Sequence, residues 1–171
     1  MSDDDLRRLL DLEAIRQLKA RYCRYVDTKQ WDRLATLFTS DTRFEGFGSA
    51  PTGAGPDEFI RGISGRLANA VSIHHCHTPE IVFTGPDSAR GVWAMMDLLQ
   101  FPPGQSPREA PGRRGFRAYG HYEEAYRRDG GVWRFCFLRL TRLRIDPLPD
   151  DHPEPRADLL AASPDWLDRG I

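Results

Sequence analysis

Apolar residues near the start of the chain, Leu6, Leu9, Leu10, Ile15, Leu18, Tyr22, Tyr25 and Val26, recur at spacings of three, four or five. That periodicity predicts one amphipathic helix running to Thr28, with Arg7, Arg8, Glu13, Arg16, Lys19 and Arg24 on its polar face. Ser2 or an aspartate of the run 3–5 can cap it, since negative charge suits the positive end of the helix dipole. Trp31, Leu34, Leu37 and Phe38 predict a second short helix folded back on the first. Alternation over Thr42 to Phe47 reads as a strand, Gly48 to Pro56 as a loop, and Phe59, Ile60, Ile63 and Leu67 as a third helix capped at Asp57. From Ser72 the period changes to two. Strands are expected at Ile73–Phe83, Ala89–Phe101, Phe116–Arg128 and Val132–Ile145, with turns at 85–88 and 129–131. The connection from Pro102 to Gly115, rich in proline, glycine and arginine, reads as a flap or contact arm.

Helices followed by long antiparallel strands form an α+β plan. Three N-terminal helices pack in a strongly curved, mostly antiparallel sheet, a cone-shaped α+β barrel with an apolar pocket between helix and sheet. The domain spans residues 1–146. Residues 147–171 form a proline-rich tail, with a short docking helix expected near Asp158 to Leu167.

Composition narrows the partners. With 171 residues the chain fits one domain, and a net charge of -1 offers no overall attraction for nucleic acid or anionic membrane. The three cysteines, Cys23, Cys76 and Cys136, sit far apart in apolar surroundings, which suits reduced, packed thiols. An acidic N-terminus and the lack of a spanning apolar run predict a cytoplasmic protein.

The chemistry concentrates in Ser72-Ile73-His74-His75-Cys76-His77-Thr78-Pro79-Glu80-Ile81-Val82-Phe83. Alternation puts His74, Cys76 and Thr78 on one face and His75 and His77 on the other, so either His74 or His75 enters the pocket. Asp27 is a carboxylate at the unfavourable end of a helix dipole and should be exposed or paired with a cationic partner. Paired with an imidazole, it would fix the tautomer and stabilise the imidazolium once a proton arrives. The alternative is a solvated helix end and histidines that are ordinary strand residues. Trp93, Met95 and Asp97 share one strand face, and Gly120, Tyr122 and Glu124 share another; Trp93, Met95, Asp97 and Tyr122, with His75, are candidate substrate contacts.

The segment from Tyr22 to Leu34, His74 ahead of Ile81, Gly120-His121-Tyr122, and Gly131 to Phe135 together resemble the SnoaL-like branch of the nuclear-transport-factor-2-like superfamily, over residues 6–146. Within it the chain looks most like scytalone dehydratase, bile-acid 7α-dehydratase and hexachlorocyclohexane dehydrochlorinase, cofactor-free lyases with an Asp–His dyad. The resemblance implies Asp27 as orienting carboxylate, His74 as base, Tyr22 as a helping donor and Arg139 as a late-strand arginine. A second histidine of scytalone dehydratase falls near Leu99 and is absent here.

The implied activity is a cofactor-independent lyase of the dehydratase type, or an isomerase, acting on a hydrophobic polycyclic or aromatic small molecule. The alternative is a non-catalytic binding or accessory protein of the same fold. Neighbouring strand residues diverge, so the histidine cluster is not read as a metal site. Arg139, Arg142 and Arg144 alternate with leucines and read as a wet sheet face or subunit contact rather than a nucleic-acid strip. A homo-oligomer, dimer or trimer, is expected.

Overall fold

The computed structural model describes residues 2–156 and Leu167. Helix α1 spans Asp3–Asp27 and opens on Ser2, whose hydroxyl accepts from Asp5 N–H while the Asp5 carboxylate accepts from the Ser2 backbone, a reciprocal capping box. Helix α2 spans Trp31–Ala35, strand β1 Phe38–Glu45 and helix α3 Pro56–Leu67. Strands β2 (Val71–Gly85), β3 (Ser88–Gln100), β4 (Gly115–Asp129) and β5 (Val132–Pro147) follow. The sheet order is β1-β5-β4-β3-β2, antiparallel throughout except where β1 runs parallel to β5.

One apolar core fills the space between α1 and the sheet. Ile15, Leu18, Tyr22 and Val26 of α1 meet Phe38 and Phe44 of β1, Phe59 and Ile63 of α3, and Tyr122, Tyr126, Phe135 and Leu138 of the sheet. Phe44 stacks on Phe59 with ring centroids 3.9 Å apart, tying β1 to α3. At the other end of α1, Asp11 accepts from Arg128 at 2.7 Å and from the Trp133 indole at 2.9 Å, which clamps the helix to the β4–β5 hairpin.

Five local expectations are corrected. Leu6, Leu9 and Leu10 are exposed rather than inward, because the first turns of α1 run past the part of the helix that packs on the sheet. Lys19, placed on the polar face, is buried. Phe38 is inward as expected but opens β1 instead of ending α2, since its backbone pairs in register with Phe135. Helix α3 starts at Gly55 as cap with Pro56 in the first turn, so Asp57 is already helical. The connection 101–114 is no free arm: Phe101 and Ala110 are buried, and Phe101 N–H donates to Arg114 O at 2.7 Å. The helix expected near Asp158 to Leu167 lies, except for Leu167, outside the described residues.

Candidate active site

Asp27 stands in the last turn of α1, where the chain must leave the helix. Thr28 Oγ1 donates to Arg24 O at 2.6 Å, and Lys29 adopts a left-handed φ of 60° that stops the helix one turn past Cys23. The carboxylate is thereby aimed at β2. Its Oδ2 accepts the His74 backbone N–H at 2.8 Å and its Oδ1 meets His74 Nδ1 at 2.6 Å. A carboxylate offers only acceptors, so Nδ1 carries a proton, and in the neutral ring the lone pair belongs to Nε2. The awkward dipole position of Asp27 is resolved by two donors from one residue.

β2 presents His74 and Cys76 inward while His75 and His77 are exposed. Of the two candidate histidines the site holds His74. His75 lies on the outer side, with its ring centroid 6.5 Å from that of His77, and is not among the cavity residues. A register break between Cys76 and Pro79 also turns Thr78 outward, against simple alternation.

His74 lines a small cavity together with Tyr22, Tyr122, Leu99, Leu140 and Arg142, with Phe47, Gly48, Arg66 and Glu109 also in its wall. Its volume is about 30 Å³. Phe47 and the ion pair Arg66–Glu109 stand in the wall of this cavity, and His74 also borders a larger groove between α1 and β2. Tyr22 and Tyr122 are buried edge to face, centroids 5.9 Å apart. Burial above all pushes both phenols well above their ordinary pKa, so each remains a proton donor at neutral pH.

Asp97 sits directly across from His74 in the β2–β3 register and is fully buried. Its Oδ2 accepts from Arg142 Nη2 at 2.8 Å, while Asp97 Oδ1 and Arg142 Nε have no partner among the described residues. Trp93 and Met95 are buried on the same face but outside the cavity; the Trp93 indole donates to Tyr126 at 2.7 Å. Arg139, the expected late-strand arginine, is on the wrong side. It is half-exposed and pairs with Glu123 at 2.6 Å on the outer surface. The cause is a bulge in β5: Tyr126 pairs with Phe135 and Ala125 with Phe137, leaving Cys136 extra, so Leu138, Leu140 and Arg142 turn inward.

A second buried network supports the site from below, and sequence reasoning missed it. Lys19 Nζ meets Glu124 Oε1 at 2.5 Å, and Glu124 Oε2 accepts from the Tyr126 hydroxyl at 2.5 Å. The ammonium also lies 3.3 Å from the centre of the Tyr122 ring and 4.6 Å from that of Tyr22. Burial pulls the Lys19 pKa down, but Glu124 outweighs it and holds it above the usual value. The available signal was composition: Lys19 and Lys29 are the only lysines in a chain of 24 basic residues. Among the described residues no three His, Cys, Asp or Glu side chains converge in a way that could hold a metal ion, and no helix is long and apolar enough to cross a membrane.

An N-terminal helix packed on a curved, mostly antiparallel five-stranded sheet matches the cone fold of the nuclear-transport-factor-2-like superfamily. Residues 7–139 match the SnoaL-like domain, and the chain belongs to that family. It is 25% identical over 139 residues, 75% of this chain and 89% of the other, to a Gibberella zeae protein named "Probable cyclase FGR4". It is also similar in structure to a hexachlorocyclohexane dehydrochlorinase, LinA type 2, with a TM-score of 0.75 at 25% identity, covering 89% of this chain and 98% of that one. A scytalone-dehydratase-like protein from Novosphingobium aromaticivorans shares the fold at 18% identity, with a TM-score of 0.68 over 86% of this chain and 97% of its own.

Proposed function

We propose that the protein is a cofactor-independent lyase that eliminates water or halide from a hydrophobic ring compound, with His74 as base and Asp27 as its orienting carboxylate. The observation that carries this reading is the double contact of Asp27 with His74, through backbone N–H at 2.8 Å and Nδ1 at 2.6 Å, which commits one ring nitrogen and frees the other. Nε2 removes the proton next to an electron-withdrawing group; the carbon–hydrogen electron pair forms the new double bond as the carbon–oxygen or carbon–halogen bond breaks. Imidazolium forming on His74 is stabilised by Asp27. Tyr22 and Tyr122 are protonated donors beside it, and Arg142, with Nε unpartnered, is the group able to receive the leaving anion or a developing oxyanion. Arg142 takes the part that the family resemblance gave to Arg139.

The cavity beside Tyr22 and Arg142 measures about 30 Å³, whereas ligand sites usually measure about 300–1,000 Å³, and His74 also borders a groove of about 570 Å³ with Lys19, His75, Cys76 and Trp93, so a ring-sized guest meets His74 either from that groove or by movement of the Phe47 and Arg66–Glu109 wall. The test is a screen of hydroxylated steroids and aromatic polyketides by mass spectrometry for loss of water, with wild type beside His74→Ala. A positioned base is worth about a hundredfold to ten-thousandfold. Product at equal rates from both proteins removes His74 as the base. Tight binding with product from neither assigns the protein to the non-catalytic binders of the same fold.

A further inference from the structure

The α1–β2 seam that joins Asp27 to His74 carries a second contact one step along. Cys23 lies one helical turn before Asp27, Cys76 lies two residues after His74, and their sulfurs are 3.5 Å apart. Positions 19, 23 and 27 form one stripe of α1, so the Lys19 ammonium belongs to the same seam. A surface groove of about 570 Å³ between the helix and the strand is bordered by Lys19, Cys23, His74, His75, Cys76 and Trp93, which gives small solutes access to the sulfurs.

We propose that Cys23 and Cys76 are a reversible oxidation site, which a peroxide converts to a disulfide that fastens α1 to β2 beside the Asp27–His74 pair. Cys76 is the attacking sulfur. The hydrogen bond from Cys23 holds its thiol below the ordinary value, with Lys19 adding to the effect, while the same bond and burial raise Cys23. In the first step the Cys76 thiolate attacks one peroxide oxygen; a sulfur–oxygen bond forms, the oxygen–oxygen bond breaks, and the departing hydroxide takes up a proton as water. In the second the Cys23 sulfur attacks the sulfenic sulfur, the sulfur–sulfur bond forms, the sulfur–oxygen bond breaks, and a second water leaves with the Cys23 proton. Two thiols supply the two electrons that reduce one peroxide. The present separation of 3.5 Å must close to about 2.05 Å for the bond to form. Cys136, at the β5 bulge, is only partly buried, and burial raises its thiol, so it serves as an internal control.

The experiment treats the reduced full chain with hydrogen peroxide, alkylates it after denaturation, and maps the peptides by mass spectrometry without reduction. Wild type and Cys136→Ser are expected to yield a Cys23–Cys76 cross-linked peptide lighter by two hydrogens, which dithiothreitol returns to thiols. Cys23→Ser is expected to leave Cys76 as a sulfenic acid captured by dimedone, on the order of tenfold faster than Cys136. Wild type in which Cys23 and Cys76 remain fully alkylatable, or in which only Cys136 is oxidised, overturns the proposal. The wild-type digest decides the matter even where Cys23→Ser folds poorly, and no step requires turnover, so the outcome is independent of the lyase reading.

Discussion

Replacing Lys19 with methionine isolates the worth of the buried ion pair under the site. Methionine keeps most of the volume of the lysine stem, so the apolar packing of α1 on Tyr122 survives and the change is mainly one of charge. What is left behind is Glu124, a carboxylate with no solvent exposure, still accepting from Tyr126 at 2.5 Å but with no cation. Removing one member of a buried pair costs about 3–5 kcal/mol, because the survivor is desolvated without compensation. The loss of the ammonium from the Tyr122 face, 3.3 Å away, falls within that figure rather than adding to it. For a chain of this size the shift in melting temperature is about 6–20 °C, at about 2–4 °C per kcal/mol. Urea unfolding followed by tryptophan fluorescence measures it directly, provided the denaturant slope is unchanged. The double variant Lys19→Met/Glu124→Gln removes both charges and keeps an acceptor for Tyr126, so most of the loss should return, to within about 1.5 kcal/mol of wild type. A single variant that loses under about 1 kcal/mol, or a double variant no more stable than the single one, refutes the reasoning.

Two further outcomes are expected. Arg139→Ala should leave turnover unchanged and cost less than about 1 kcal/mol, since its pair with Glu123 is a surface one, whereas Arg142→Ala should abolish turnover; steady-state kinetics on the two variants settles which arginine belongs to the site. Lys29 is held down to about 8, chiefly by burial, with Asp27 opposing. In the folded protein it sheds its proton near pH 8 while the unfolded chain keeps it to about 10.4, so between those values the unfolded state binds more protons and stability rises with pH. Lys29→Met should therefore be more stable than wild type at pH 7 and lose that advantage by pH 10, as read by urea melts; an advantage constant across that range contradicts the assignment.

Much of this architecture is legible in the sequence because its signals are local. The turn chemistry at 129–131, the change of period at residue 72 and the helical spacing up to Val26 each belong to a short stretch of chain. Asp27, a carboxylate at a helix C-terminus among aromatics, asked for a partner, but the residues alone left a solvated helix end equally open, and the family resemblance is what pointed to His74. What failed depended on distant pairing. Phe38 is apolar at helical spacing, and only its register with Phe135 makes it a strand residue. Arg139 and Arg142 differ only in which side of the Cys136 bulge their parity is counted from, and no residue type announces that bulge. Lys19 reads as solvated until Glu124, 105 residues later, is placed against it.

The Arg66–Glu109 pair in the cavity wall bears on how the site is used. Arg66 at the end of α3 donates to Glu109 of the 101–114 connection at 2.6 Å, and both side chains are largely covered. Gly48 packs against this pair so closely that an added Cβ would stand 2.2 Å from Arg66 Nη1 and 2.5 Å from Glu109 Oε1. Burial tends to raise the Glu109 carboxyl, yet Arg66 holds it below its ordinary value, so the pair stays ionised at neutral pH. Because the cavity beneath holds only about 30 Å³, a ring-sized guest that enters it from this side does so through molecules in which this contact is broken, and its apparent affinity is reduced by the fraction that is open. Arg66→Ala removes the contact in the closed state alone. If the pair is worth about 1.4 kcal/mol, the open fraction and the association rate rise about tenfold. Stopped-flow binding of an environment-sensitive apolar fluorophore measures that rate. An association rate equal to wild type, with affinity also unchanged, would mean that guests reach His74 by another route and that the Arg66–Glu109 pair is a passive part of the wall.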